Sequence, residues 1–207
     1  MNRVWLDVGA HIGSHSVPFA YADPTLHVHA FEPHPRVAKW LTASASMLPN
    51  YTVWPVAVGV KDGFSDFYLS SDDGDGCSSL LPFDPDGLKR WVGTTPVPLG
   101  TTEIVSVPII RLDTFLNREG IQHVDYLKVD AQGTDLDVVR SLGDRIKDVA
   151  VIMVEVIIAE VSLYMGQSEK DALVEFLQQA GFQLQTLEWQ TIDPNGIHLD
   201  ENLTFVR

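Results

Sequence analysis

Two acids and two glycines near the start of the chain have the types and spacing to bind a nucleoside cofactor. Asp7 and Gly9 end an apolar run, Gly13 follows shortly after, and a second apolar run ends in Glu32. In a doubly wound sheet such glycines permit a tight turn and a close approach of the next helix. An acid that ends the second strand can accept hydrogen bonds from ribose hydroxyls. The pattern predicts a nucleoside-cofactor site at the carboxyl ends of two neighbouring strands.

The glycine spacing distinguishes between cofactors. Dinucleotide-binding turns carry a middle glycine that lets a pyrophosphate approach the backbone. Here Ala10 and His11 lie between the two glycines, so the middle glycine is absent. Asp7 would also repel a pyrophosphate, whereas a sulfonium or ammonium group would be attracted to it. The pattern favours S-adenosylmethionine over NAD, and an NAD-dependent oxidoreductase is the less favoured alternative.

Two further acids end later apolar runs and could assist transfer to a hydroxyl group. Such a transfer is helped by a carboxylate or imidazole that accepts the hydroxyl proton. Asp130 is the leading candidate for this general base, Glu155 the second and His11 a weaker third. The two acids could also hold a divalent metal that polarises a diol, although nothing in their spacing requires one.

Each of these candidates also has a structural interpretation. Asp130 could cap the helix that begins near Thr134 or order the turn at Gly133. Glu155 could be a buried carboxylate paired with Lys or Arg. His11 could be a turn residue, with no part in the chemistry.

Apolar runs alternate with helical patterns, which is typical of βαβ units and a parallel sheet. Helices are expected to begin at Pro35 and after a capping box at Ser168, the second one ending at Gly181. The turn signal at residues 193–196 indicates that the last two strands pair antiparallel. Seven strands are predicted, at residues 3–8, 26–32, 51–58, 124–130, 149–157, 182–190 and 202–206. The predicted fold class is α/β, with a mostly parallel sheet and a terminal antiparallel hairpin.

Residues 59–112 depart from this alternation and are interpreted as an insertion in a single domain that spans 1–207. Two alternating runs, 64–69 and 103–107, predict a hairpin, and an acidic loop with Asp72, Asp73 and Asp75 lies between them. We expect the insertion to cover the carboxyl edge of the sheet and to form part of the substrate wall.

Composition limits the partners of this chain. Its formal charge is −14, with 28 acidic residues against 14 Lys and Arg. Such a charge disfavours nucleic acid and anionic membrane surfaces, which leaves a small neutral or cationic substrate or a sugar. No apolar run is long enough to span a bilayer, so a cytoplasmic protein is expected.

Several segments, in order along residues 4–155, resemble the FkbM-type methyltransferases. The matching segments are Asp7 to Gly13, Phe31 to Pro33, Ser78 to Leu80, Val107 to Asp113 and Asp125 to Gly133. The resemblance implies a Rossmann-like class I methyltransferase fold that uses S-adenosylmethionine to methylate hydroxyl groups of sugars, polyketides and related natural products. It also implies a cofactor-binding set of Asp7, Gly9, Ala10, His11, Gly13, Glu32, Pro33, Ala57 and Asp130, with Glu32 at the ribose and Pro33 and Ala57 beside the adenine.

The chain departs from the family pattern in two places. The family usually has an acid where this chain has Gln132, and Glu where it has Asp135. The chain also begins directly on its first strand, so we expect substrate capture to depend on the insertion or on a second copy, and a homo-oligomer is compatible with the sequence. These departures leave open a non-catalytic homologue that binds the cofactor without turnover.

Overall fold

Ten strands and six α-helices make up the part of the chain that the computed structural model describes, residues 3–71, 76–93, 98–158, 160 and 162–207. The strands are β1 (Arg3–Val8), β2 (Leu26–Phe31), β3 (Tyr51–Trp54), β4 (Ala57–Val58), β5 (Gly63–Ser70), β6 (Thr101–Ile110), β7 (Tyr126–Val129), β8 (Val151–Ile157), β9 (Gln183–Trp189) and β10 (Asp200–Val206). The helices are α1 (Val17–Ala22), α2 (Pro35–Ser44), α3 (Pro85–Arg90), α4 (Leu112–Arg118), α5 (Asp135–Arg140) and α6 (Lys170–Gln179), and a 3-10 helix covers Gly143–Asp148.

Seven of the strands form one sheet, in the order β3-β2-β1-β7-β8-β10-β9. The first five in that order are parallel, and β10 runs antiparallel to both of its neighbours. The turn at 193–196 lies between β9 and β10, where the Gly196 amide donates to the Asp193 carbonyl. The predicted fold class, mostly parallel with a terminal antiparallel hairpin, is therefore confirmed.

The predicted third strand, 51–58, is wrong in its extent. β3 ends at Trp54, and Ala57 and Val58 pair instead with Ile109 and Ile110 in a second sheet. Pro55 follows Trp54 and has no backbone N–H, so it cannot continue a hydrogen-bonded ladder. The chain leaves the first sheet at this proline.

The insertion contains the expected antiparallel pair. β5 and β6 pair along their lengths, and β4 adds a short parallel strand, giving the order β4-β6-β5. Asp84 caps α3 by accepting hydrogen bonds from the amides of Asp86 and Gly87. The acidic residues Asp72, Asp73 and Asp75 lie outside the described residues.

Ser168 does not cap α6, contrary to the capping box expected from the sequence. The residue at the N-cap is Glu169, whose side chain makes no capping bond. The Ser168 hydroxyl accepts instead from the Leu136 amide, and its own amide donates to the Gly133 carbonyl. This serine joins the start of α5 to the segment before α6.

Helices cover both faces of the parallel strands of the seven-stranded sheet. Helices α4, α5 and α6 cover one face over a large core that includes Leu6, Leu127 and Leu203. Helices α1 and α2 cover β1 and β2 on the other face. Among the described residues, no helix is both long enough and apolar enough to cross a membrane.

Candidate active site

The loop after β1 brings the ends of β1, β2 and β7 together. Gly9 has φ 70°, and a Cβ there would lie 1.8 Å from the carbonyl oxygen of Asp130, so only glycine fits. At Gly13, with φ 80°, a Cβ would come within 2.6 Å of Val17 and 2.7 Å of Leu41. The two glycines therefore permit the close strand and helix contacts that the sequence predicts.

Glu32 joins this loop to the turn that follows β2. One carboxylate oxygen accepts from the His11 amide at 2.7 Å, and the other accepts from the His34 amide at 2.8 Å. Burial raises the pKa of Glu32, and the two backbone donors oppose this shift. The carboxylate is thus fixed at the carboxyl end of β2, beside the glycine loop.

A cleft with an empty volume of about 670 Å³ opens at this edge of the sheet. Its wall is largely apolar and includes residues of the insertion as well as of the main sheet. Among the described residues that line the cleft, the only acids are Glu32 and Asp130, and none is Lys or Arg. The apolar lining comprises Val8, Phe31, Pro33, Val56, Ala57, Val58, Phe67, Leu80 and Ala131. Phe67, Gly76, Ser78 and Leu80 of the insertion therefore lie in the wall of the cleft.

A buried lysine that the sequence reasoning missed lies behind the cleft. The Lys128 ammonium donates to the Gly9 carbonyl at 2.7 Å and lies 3.3 Å from a carboxylate oxygen of both Asp7 and Asp130. These two carboxylates raise the pKa of Lys128 despite its burial, which opposes the shift. A lysine in the middle of the apolar strand β7 was the available signal, because a buried lysine needs partners.

Asp130 follows directly after β7 and lines the cleft. Burial opposes ionisation, but the Lys128 ammonium and a hydrogen bond from Gln132 outweigh it and hold the pKa of Asp130 below its usual value. The carboxylate neither caps α5, whose N-cap is Thr134, nor orders the Gly133 turn. The Lys128 ammonium and the Gln132 amide thus favour the ionised form of Asp130.

Glu155 lies next to Asp130 in a polar cluster. The Gln132 amide nitrogen donates to Asp130 at 2.7 Å and to Glu155 at 3.2 Å. Burial and the negative charge of Asp130 raise the pKa of Glu155 well above its usual value. Within the described part of the chain, no Lys or Arg side chain forms an ion pair with Glu155. The alternative of a carboxylate paired with a basic side chain is therefore wrong.

Asp135, rather than Asp130, orders the turn between β7 and α5. Its two carboxylate oxygens accept from the amides of Ala131, at 2.7 Å, and Gly133, at 3.1 Å. Burial raises the pKa of Asp135 to about 7, although the backbone donors oppose the shift. Asp135, which replaces the glutamate usual in the family, thus stabilises the turn beneath the cleft.

The two histidines near the glycine loop differ in their surroundings. His11 lines the cleft and has φ 49°, a left-handed conformation at the place where a dinucleotide-binding turn would carry glycine. His15 lies outside the cleft wall and stacks on Tyr126, with ring centroids 5.8 Å apart. Burial lowers the pKa of His15.

The predicted site residues fall into two groups. Gly9, His11, Glu32, Pro33, Ala57 and Asp130 line the cleft. Asp7, Ala10 and Gly13 are not among the described lining residues; Asp7 is buried and accepts a hydrogen bond from Ser16. Glu155 lies behind Gln132. Among the described residues, no cluster of three or more His, Cys, Asp or Glu side chains is placed to hold a metal ion.

Solved methyltransferase structures share this fold. The chain superposes on TrmK of M. capricolum with a TM-score of 0.55 and 6% identity, covering 99% of this chain and 62% of that one. For fibrillarin of Aeropyrum pernix, which was solved with natively bound S-adenosyl-L-methionine, the TM-score is 0.54 with 12% identity, covering 99% and 66%. At such low identities the likeness concerns the fold alone.

Curated relatives are similar in sequence. The 2-O-methyltransferase NoeI of Sinorhizobium fredii is 27% identical over 180 residues, covering 84% of this chain and 70% of the relative. The hexuronic acid methyltransferase AglP of Haloferax volcanii is 27% identical over 150 residues, covering 72% of this chain and 54% of the relative, so this chain spans about half its length. The family model described as the methyltransferase FkbM domain matches residues 7–184, and the chain therefore belongs to the FkbM methyltransferase family.

Proposed function

We propose that this chain transfers a methyl group from S-adenosylmethionine to a hydroxyl group of a small hydroxylated metabolite, such as a sugar, a polyketide or a related natural product. The proposal treats residues 1–207 as one methyltransferase domain. Membership of the FkbM family supports the reaction. The names of NoeI and AglP, a 2-O-methyltransferase and a hexuronic acid methyltransferase, support a sugar-like acceptor.

The observation that carries the proposal is the charge of the cleft. Its described lining contains two acids, Glu32 and Asp130, and no Lys or Arg, and the residues outside the described ranges contain no Lys or Arg either. A cleft of this charge fits a cofactor that bears a sulfonium and an ammonium group, and it opposes a pyrophosphate. The position of Glu32 also fits this cofactor, because a carboxylate at the end of β2 can accept hydrogen bonds from ribose hydroxyls.

Different parts of the cleft would contact different parts of S-adenosylmethionine. Glu32 would hold the ribose, with Pro33 and Ala57 beside the adenine and the Gly9 backbone and His11 near the methionine end. Asp7, Ala10 and Gly13 would act from behind, by supporting the loop that carries these contacts.

The residues of the chain would mainly align the acceptor and receive its proton. When bound, S-adenosylmethionine supplies the methyl carbon, whose bond to sulfur breaks as the bond to the acceptor oxygen forms, leaving a neutral thioether. Asp130 takes the hydroxyl proton, since its ionised form is favoured and it lines the cleft. The apolar wall from the insertion excludes water from this position. Glu155 and His11 are weaker candidates for the base, and the proposal requires no metal.

Calorimetry with S-adenosylhomocysteine tests the cofactor site. We expect saturable heat for the wild type and an affinity lower by about 10- to 100-fold for Glu32→Gln, because one acceptor and the charge are lost. Asp125→Asn is a matched control, since this carboxylate accepts from the Val4 amide at 2.7 Å at the opposite end of β1. The control should bind within about twofold of the wild type.

Two results would change the proposal. An absence of heat for the wild type at high protein concentration contradicts it. Tight binding without methyl transfer to a panel of sugars and phenols would instead support a non-catalytic cofactor-binding homologue.

A further inference from the structure

We propose that Gln132 and Tyr164 are positioning residues that hold Asp130 and Glu155 as one carboxyl pair sharing a single proton. The proposal rests on the proposed function, because it concerns the group that would accept the hydroxyl proton. Gln132 stands where the family usually has an acid, so it keeps a hydrogen-bonding shape there but loses a charge.

The Gln132 side chain bridges the two acids. Its amide nitrogen has two hydrogens, and it lies 2.7 Å from Asp130 Oδ1 and 3.2 Å from Glu155 Oε2. The residue has φ 51°, a conformation that non-glycine residues adopt at a cost. The backbone is therefore held in an unfavourable conformation at the position that directs this amide towards both carboxyl groups.

Tyr164 fixes the orientation of that amide. Its hydroxyl lies 2.7 Å from the Gln132 carbonyl oxygen Oε1 and 2.9 Å from the Cys77 carbonyl oxygen. The ring is fully buried, stacks on Phe83 with centroids 5.1 Å apart, and lies against Gly133. A rotated amide would present its nitrogen to the tyrosine and its oxygen to two carboxyl groups, so the observed orientation is strongly favoured.

The insertion holds Gln132 from its other side. The Ser79 hydroxyl donates to the Gln132 backbone carbonyl at 2.6 Å. Since Cys77 and Phe83 also belong to the insertion, three of its residues act on Gln132 directly or through Tyr164. The position of the carboxyl pair thus depends on how the insertion packs against the sheet.

The contacts explain why the pair would hold one proton. Asp130 and Glu155 both accept from the same Gln132 nitrogen, so their carboxyl groups are adjacent, and two adjacent carboxylates cannot both remain ionised at low cost. Lys128 contacts Asp130, so the charge is favoured on Asp130 and the proton on Glu155. On transfer, the acceptor proton would go to Asp130, and the pair would release one proton to solvent afterwards. The other titratable groups that act on this cluster are Asp7, His15, Cys77, Asp135 and Asp200.

Carbon-13 NMR of labelled Asp and Glu carboxyl groups, followed against pH, tests the pair without any acceptor. In the wild type we expect Asp130 to titrate below, and Glu155 well above, the other acids of their type. In Tyr164→Phe the two midpoints should approach each other by about one pH unit, because the amide is no longer fixed. Tyr68→Phe, on β5 outside the cleft lining, removes a hydroxyl from the insertion without touching the cluster and should leave both midpoints unchanged.

Gln132→Glu provides a second variant if Tyr164→Phe does not fold. It replaces the bridging donor by a third acid, so the midpoint of Asp130 should rise by about one pH unit or more. In both variants kcat should fall by about tenfold with a shifted pH profile. In Tyr164→Phe, whose side chain is not among the described lining residues, the Kd for S-adenosylhomocysteine should stay within about twofold.

Midpoints that match the wild type in a folded Tyr164→Phe or Gln132→Glu protein would overturn the proposal and leave these residues a packing role. Failure of the proposed function is distinguishable, because it would appear as a wild type that binds no S-adenosylhomocysteine, whatever the carboxyl midpoints are.

Discussion

The two halves of the cleft hold their carboxylates in different ways. In the glycine-loop half, residues 7–13 and 31–34, both oxygens of Glu32 accept from backbone amides of the same half. In the carboxyl-cluster half, which comprises Asp130, Gln132, Glu155 and Tyr164, the acids are held by side chains from separate segments.

This difference suits the roles proposed for the two acids, a fixed ribose-binding group for Glu32 and an adjustable proton acceptor for Asp130. The backbone amides after β1 and β2 fix the position of the Glu32 carboxylate, and this position does not depend on neighbouring side chains. The pKa of Asp130 depends on the side chains of Lys128 and Gln132. Because Tyr164 orients Gln132, substitution of any of these side chains can change that pKa without moving the strand. A ribose contact requires the first arrangement, whereas a general base benefits from the second.

Lys128→Met should have the largest effect, because Lys128 joins the two halves. Its loss leaves Asp7 and Asp130 buried without their cation and removes a hydrogen bond to Gly9. We expect the free energy of unfolding to fall by about 3–5 kcal/mol, measured by urea denaturation.

The exposed Lys147→Met is the control for this substitution and should change the free energy of unfolding by less than about 0.5 kcal/mol. A similar small effect for Lys128→Met would show that the two halves are not joined by this cation.

Gly9→Ala tests how closely the two halves approach. The added Cβ would lie 1.8 Å from the Asp130 carbonyl oxygen, whereas at Gly120, with a similar φ of 67°, no atom lies within 4 Å. Gly120→Ala therefore measures the cost of the backbone conformation alone. Gly9→Ala should be less stable than Gly120→Ala by at least about 2 kcal/mol. Equal losses would mean that the strand ends separate easily at this point.

Asp135→Asn tests the turn beneath the carboxyl-cluster half. Burial raises the pKa of Asp135 from 3.8 to about 7, so between these values the folded chain holds a proton that the unfolded chain has released. The wild type should therefore lose stability as the pH rises from 4 to 7, by up to about 1.4 kcal/mol per pH unit more than the variant. Denaturation at a series of pH values measures the two slopes, and parallel slopes would contradict the assignment.

The sequence predicts the glycine-loop half well because its signals are local. An apolar run, two glycines and an acid at the end of the next run specify β1, its turn and Glu32 within one short segment. The end of β3 was predicted wrongly although Pro55 is a local signal for it, since proline cannot continue the ladder.

The carboxyl-cluster half could be predicted only in part. Asp130 was recognisable as an acid directly after a strand, whereas Glu155, predicted at the end of the next strand, lies within β8 opposite Asn202. Both acids contact Gln132, which no local pattern indicates. Tyr164 lies 32 residues from Gln132 in a segment without helical or strand periodicity, so no local pattern indicates that its hydroxyl reaches the site. The contacts of Ser79 and Cys77 likewise arise only when the insertion packs on the sheet.

The central claim is that Asp130 receives the proton as a hydroxyl acceptor is methylated. Its most direct test measures transfer of an isotope-labelled methyl group from S-adenosylmethionine to a hydroxylated acceptor by wild-type, Asp130→Asn and Asp125→Asn proteins at saturating cofactor. The account predicts an O-methyl ether as product, a kcat lower by about 10²- to 10⁴-fold for Asp130→Asn, and a nearly unchanged kcat for Asp125→Asn. A kcat for Asp130→Asn within about twofold of the wild type would contradict it.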